Sequence, residues 1–300
     1  MRFRNLDLNL LAALDKLITL RSVTRAADEL AITQSAMSNA LNRLRHYFDD
    51  PLLVQVGRHM ELTPRAESLA GPVRDILVRV EAAITAPLEF DPATAVRRVN
   101  VMVSDYTLHT LMPAFVRRVA RAAPHISLDI KAQQMHPSVQ LERGEADLLV
   151  APSVFCSPDH PKEMLLLDPF VIVADAAHPA ARAGGLSLAD LETYEFVAMK
   201  PPQTGESYSN RYLREHGLLV KTAVTCFSFA ALPDLVAGTN RLALIQGRLA
   251  ATLAARADLA ILTPPFDVAP MEQCVQWHQM RGHDPALHWL RGELLAVAAL

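Results

Sequence analysis

Three patterns predict an α/β fold with an all-α-rich amino-terminal domain, a long linker helix and two α/β lobes. Two short helical patterns and a basic hairpin fill Ser22 to Arg65, an apolar repeat of helical period runs from Ala66 to Ala83, and strands then alternate with helices. With 300 residues, 51% of them apolar, the chain can build two or three cored domains and is too apolar for extensive disorder.

Asp7 is placed to cap a first helix, in which Leu10, Leu11, Leu14, Leu17 and Ile18 recur at helical spacing. A second helix starts after the Ser22/Thr24 cap and carries a small-residue step at Ala26–Ala27, where another helix can cross closely. The third spans Thr33 to Phe48. At about 100° per residue, Met37, Leu41, Leu44 and Phe48 share one face, while Ser35, Ser38, Asn39 and Asn42 share the other. With Gln34 in the first turn, that polar face suits a DNA major groove, where Asn and Gln pair with adenine edges and Ser with several bases. The alternative is an ordinary amphipathic surface helix, which would show more Lys and Glu at exposed positions.

Asp49–Asp50–Pro51 ends this helix, and Leu52–Gln55 and Glu61–Thr63 read as short strands around a Val56–Met60 turn. The three helices and this hairpin outline a winged helix-turn-helix. Arg58 at the wing tip is a candidate for an adjacent minor groove, or else an exposed loop arginine.

Thr63–Pro64 is an N-cap followed by proline in the first turn. Beyond it Ala66, Leu69, Val73, Ile76, Val80 and Ala83 step by three, four, three, four and three, a seam that predicts pairing with a second copy of the chain. Packing on its own domain is the alternative, because Pro72 interrupts the helix and it stops before Pro87. The resulting division is 1–63 for DNA binding, 64–90 for the dimerisation helix and 91–300 for the remainder.

After the linker at Glu89–Ala95 come a Val99–Val103 strand, a helix from about Thr107 to Ala122, an Ile126–Ala132 strand, a short helix near Ser138–Arg143 and a strand at Asp147–Val150. Strand-helix-strand order with apolar strands predicts a covered parallel sheet. A second such unit has strands at Phe170–Ala174, Phe196–Ala198, Ala223–Thr225 and Leu242–Ile245, with helices near Leu188–Leu191 and Tyr208–His216 and from Ser228 and Arg248. The Cys274–His278 strand and Ala286–Ala298 helix return to the first. Lobe one is thus about 96–168 with 266–300, and lobe two about 169–265, leaving a cleft of the kind that favours ligands.

Net charge is −3, and residues 1–90 hold eleven Lys/Arg against eleven Asp/Glu, so a local surface rather than bulk charge must carry any nucleic-acid contact. The start MRFRNLDLNLL lacks the apolar core of a signal peptide, and no run reaches the roughly eighteen apolar residues of a membrane span, so a cytoplasmic protein with no membrane partner is expected. Cys156, Cys226 and Cys274, odd in number and embedded in apolar runs, read as reduced packing residues, with a redox pair or metal site as the alternative.

LDLNLLAALDKL, the run TQSAMSNALNRLRHYFDDPLLV and GRHMELTPRAESLA resemble the LysR-type transcriptional regulators, most of all their nodulation-regulator and aromatic-responsive branch. Farther on, LERGEADLLVAP and LALIQGRLA carry the resemblance through the lobes. It implies two lobes of periplasmic-binding-protein type, a homodimer or homotetramer on double-stranded promoter DNA, RNA polymerase as a partner, and a small effector between the lobes that changes the DNA bend. By motif position Gln34, Ser35, Ser38 and Asn39 face bases, with Asn42 alongside them and Arg58 as the wing contact. Many relatives carry Arg where this chain has Asn39, so bidentate guanine readout is absent there.

For the effector, Ser104, Asp105, Tyr106 and Thr107 form the first strand-to-helix turn of lobe one, and Cys226, Phe227 and Ser228 the equivalent turn of lobe two. Free N–H groups and hydroxyls at such turns hold polar ligands. The Lys200–Gly205 loop, with Gln203 and Thr204, is expected to close one side, and Phe227 and Phe229 to stack on an aromatic effector. Asp105 opposes an acid effector unless it points away as a helix cap. No phosphate loop, nucleophile elbow or His-Glu metal motif is found, so no catalytic residue, metal or cofactor is assigned. The competing function is a cytoplasmic small-molecule-transforming enzyme on the same two-lobed scaffold.

Overall fold

A computed structural model describes residues 6–57, 59–85, 90–133, 137–200, 208–215, 217–218, 220–254 and 258–300. The chain divides into two compact units, Met1–Pro87 with Glu142–Gly144, and Leu88–Leu141 with Glu145–Leu300.

In the first unit, α1 (Leu8–Leu20) begins where the Asp7 carboxylate accepts from the Leu10 N–H at 2.9 Å. Ser22 caps α2 (Val23–Glu29), and Thr33 caps α3 (Gln34–Phe48) by accepting from Ala36 N at 3.2 Å. Asp49 ends α3 in the left-handed region. Leu14, Leu17, Ala26, Met37, Leu41 and Leu44 close one apolar core, as their helical spacing requires.

The wing is β1 (Leu53–Val56) paired antiparallel with β2 (His59–Leu62). Val56 pairs with His59, so the strands run farther toward the tip than the expected Val56–Met60 turn allows, and Gly57 at φ +62 supplies the left-handed step. Two side chains fasten this hairpin. Asp50 Oδ1 accepts from the Thr63 hydroxyl at 2.6 Å and from Leu52 N at 2.7 Å, and Arg45 of α3 donates to the carbonyls of Pro51 and Leu53.

The long helix α4 (Pro64–Thr85) buries Ala66 and Val73 in the core of its own unit, whereas Ile76 stays 45% exposed. The seam therefore serves its own domain at the amino end, and farther on it presents Ile76 to solvent. Side chains beyond Val80 on α4 lie outside the described residues.

The second unit contains two lobes. In the first, β3 (Arg97–Val103), α5 (Asp105–Thr110), α6 (Met112–Ala122), β4 (Ile126–Ala132), α7 (Pro137–Glu142), β5 (Leu148–Pro152) and β6 (Lys162–Asp168) follow in order. The chain then crosses into the second lobe through β7 (Phe170–Asp175), α8 (Pro179–Arg182), α9 (Leu188–Thr193), β8 (Glu195–Met199), α10 (Tyr208–Glu215), β9 (Lys221–Cys226), α11 (Leu232–Val236), β10 (Ala243–Gln246), α12 (Gly247–Ala254) and β11 (Leu259–Leu262). It returns as β12 (Met271–Gln276) and α13 (Pro285–Ala298).

The first sheet has the order β4-β3-β5-β12-β6, parallel through β4, β3 and β5 but antiparallel at β12. The second lobe holds an antiparallel β10-β7-β11 sheet and a parallel β8-β9 pair. Both are mixed architectures where a parallel sheet was expected, because the returning β12 runs against β5 and β6, and β10 and β11 run against β7.

Three other expectations are corrected. The helix expected from Thr107 to Ala122 is two helices, broken at Leu111, since Pro113 cannot donate to the preceding turn. The helix expected from Ser228 starts at Leu232, after a turn in which Ser228 Oγ accepts from Ala231 N. Strands β6 and β11 were not foreseen: β6 is an edge strand with Met164 and Leu167 exposed and no clean alternation.

Candidate functional site

The polar face of α3 is laid open. Met37, Leu41 and Leu44 anchor the helix from below, and Gln34, Ser35, Asn39 and Asn42 are exposed while Ser38 is half-buried. Ser35 Oγ lies 3.0 Å from the capping Thr33 Oγ1, which orders the first turn where groove-entering helices make their contacts. Asn39 and Asn42 carry both donors and acceptors, the requirement for reading an adenine edge. Arg58 lies outside the described residues. Arg45 was missed by sequence reasoning; its contacts to the wing are visible only once the hairpin is folded.

The second cluster lies where the two lobes of the larger unit meet. Ser104 caps α5, its Oγ accepting from Thr107 N at 3.3 Å. Asp105 Oδ2 accepts from the main-chain N–H of Ala230, in the second lobe, at 3.2 Å, and so brings the turns at 104–107 and 226–231 together. On the far turn the Cys226 thiol donates to the Ser228 carbonyl at 3.1 Å, and Phe227 stands 73% exposed. Phe229, expected to stack on the effector beside Phe227, is buried in the core of the second lobe, because a turn separates the two rings. Lys200 is described, whereas Gln203, Thr204 and the rest of the expected closing loop lie outside the described residues.

Tyr106 and Thr107 face inward. Thr107 Oγ1 accepts from Gln273 Nε2 at 2.9 Å, and the Tyr106 hydroxyl donates to Asp168 Oδ2 at 2.5 Å. Burial, with the Asp168 carboxylate beside it, pushes the Tyr106 hydroxyl far above its ordinary range, so it remains a donor. Burial likewise raises Asp168, against the hydrogen bonds from Tyr106 and the Arg248 main chain. Asp168, Arg248 and Gln273 were not singled out from sequence.

Burial pushes the thiols of Cys156 and Cys274 up to about 11 and about 12, which keeps them protonated at neutral pH and poor as nucleophiles. Among the described residues no group of three or more His, Cys, Asp or Glu is arranged to hold a metal ion, and no helix is long and apolar enough to cross a membrane.

The profile described as bacterial regulatory helix-turn-helix protein, lysR family, matches residues 8–67, and the LysR substrate binding domain matches residues 93–299. Nodulation protein D 3 of Rhizobium meliloti is 38% identical over 303 residues, covering 100% of this chain and 96% of that protein. A probable transcriptional regulator from Pseudomonas aeruginosa is 31% identical, with a TM-score of 0.65 and 97% of both chains covered. Full-length OxyR from the same organism, 17% identical, has the same fold at a TM-score of 0.76 over 96% of this chain and 94% of that one.

Proposed function

The chain belongs to the LysR family of DNA-binding transcriptional regulators with an effector-binding domain, and from that premise we propose which of its residues read DNA and which meet the effector. It is a regulator and not an enzyme.

Gln34, Ser35, Ser38, Asn39 and Asn42 read base edges from α3, and Arg58 reaches the neighbouring minor groove. The open polar face of α3, free of Lys and Glu at those five positions, carries this reading. The domains are 1–63, 64–90 and 91–300, and the seam of α4, with Ile76 exposed on it, pairs with a second copy, giving a homodimer that doubles to a homotetramer. Acting on promoter DNA, the protein works in the cytoplasm with RNA polymerase as a partner.

A small aromatic effector sits between the lobes against Phe227, with Ser104, Asp105, Cys226, Ser228, Gln203 and Thr204 around it, and alters the promoter bend. The adjacent carboxylate of Asp105 disfavours an acid and favours a neutral ring. Tyr106 and Thr107 support this site from behind. Footprinting of the chain's own upstream region, with and without compounds chosen by thermal shift, tests the proposal: an effector of this kind extends or shortens the protected region, and a footprint unmoved by every stabilising compound opposes it.

A further inference from the structure

Tyr106 belongs to one lobe by sequence and to the other by packing. It stands on α5, which follows β3 of the five-stranded sheet, yet its ring is buried in the apolar cluster of the second lobe with Phe170, Ile172, Leu249 and Met271. Its hydroxyl ends on Asp168, the last residue of β6, at the point where the chain first crosses between lobes. The other carboxylate oxygen of Asp168 accepts from Arg248 N at 3.0 Å, in the first turn of α12 in the second lobe.

The approach is close because residue 247 is glycine. A Cβ there would lie 3.1 Å from the Pro169 carbonyl oxygen and 3.4 Å from Asp168 Oδ1, and Gly247 N donates to that same carbonyl at 2.7 Å. Arg248 then reaches back, its Nη2 donating to the Ala298 carbonyl at 2.9 Å at the end of α13 in the first lobe. The contacts close a circuit through both lobes, and the crossover at Asp168–Phe170 is its centre.

We infer that Tyr106, Asp168 and Arg248 form a clasp that fixes the opening between the two lobes, with Tyr106 and Asp168 as positioning residues for the effector response. Rotation of one lobe about the crossovers must pull the Tyr106 ring from the second lobe's core or part Asp168 from Arg248 N, and the Tyr106–Asp168 bond ties these two contacts together. Packed elements of this kind move between discrete arrangements rather than by continuous bending. For its consequence the inference rests on the proposed effector site; its geometry does not depend on it.

The test is pulsed electron-spin distance measurement on the full chain. Labels go on Arg121→Cys of α6 and Glu192→Cys of α9, in a Cys156→Ala, Cys226→Ser, Cys274→Ala background, diluted with unlabelled chain so that only pairs within one chain are read. Tyr106→Phe, which removes one oxygen, is expected to broaden the interlobe distance or shift it by roughly 2 Å or more, and to change promoter affinity about fivefold. Asp168→Asn does the same if it folds; if it does not, Tyr106→Phe decides alone. An unaltered distance distribution in folded Tyr106→Phe overturns the clasp, even where the melting temperature falls, because the bond is then structural only. No effector is present in this measurement, so a failed compound screen leaves the clasp standing and an unaltered distance leaves the effector site standing.

Discussion

The Arg74 guanidinium meets the Asp15 carboxylate at 2.5 Å, with both side chains largely buried and a further bond from Arg74 to the Thr19 hydroxyl at 2.8 Å. The linker helix α4 is thereby held to α1, the helix that backs α2 and α3, so the orientations of α3 and α4 are set together.

Removing one partner of such a pair takes the Arg74 cation away from a buried carboxylate. Arg74→Leu is expected to cost about 3 kcal/mol in the stability of the DNA-binding unit. The check is the urea midpoint of the transition that carries that unit in the full chain, and a shift under about 0.5 kcal/mol, as for surface positions, argues against the pin.

On α3, Ser38→Ala and Asn39→Ala are each expected to lose about 1–3 kcal/mol of affinity for the promoter site while hardly altering binding to unrelated DNA. Titration of both DNAs at one salt concentration separates the two effects. Equal losses on both sequences would assign these side chains to the backbone rather than the bases.

Burial holds the Asp168 carboxyl above its ordinary 3.8, so the folded chain keeps a proton that the unfolded chain releases. Stability from this group falls as pH rises from 3.8 through that raised value. Asp7, Asp175 and Asp190, held low chiefly by main-chain N–H groups, and Glu195, held low by Lys221, act in the opposite sense, and their contributions fade as pH falls through the acid range. Asp168→Asn should therefore make the acid-side loss of melting temperature steeper. A curve parallel to that of the wild type contradicts the assignment.

Phe227→Ala removes an exposed ring and little packing, so its own stability change is expected within about 0.5 kcal/mol. Compounds that raise the melting temperature of the wild type through that ring should lose most of their effect on the variant. Equal stabilisation of both chains excludes Phe227 as a contact.

What the sequence disclosed follows the range over which each interaction acts. The face of α3 was legible because Thr33, Met37, Leu41 and Leu44 repeat within one segment, and the capping of α1 by Asp7 was legible for the same reason. Tyr106 and Asp168 are 62 positions apart, and neither shows a local pattern that predicts the other. Phe227 and Phe229 differ in exposure because a turn, which has no period, separates them. The break at Leu111 was written in Pro113, whose effect on the preceding turn was outweighed by the apolar spacing around it.

Quantitative footprinting of the chain's own upstream region, by wild type and by the double variant Ser38→Ala, Asn39→Ala, bears most directly on α3 as the reader of promoter sequence. Protection of a discrete site by the wild type, lost in a folded double variant that still binds unrelated DNA, is the expected result; unchanged protection by that variant would contradict it.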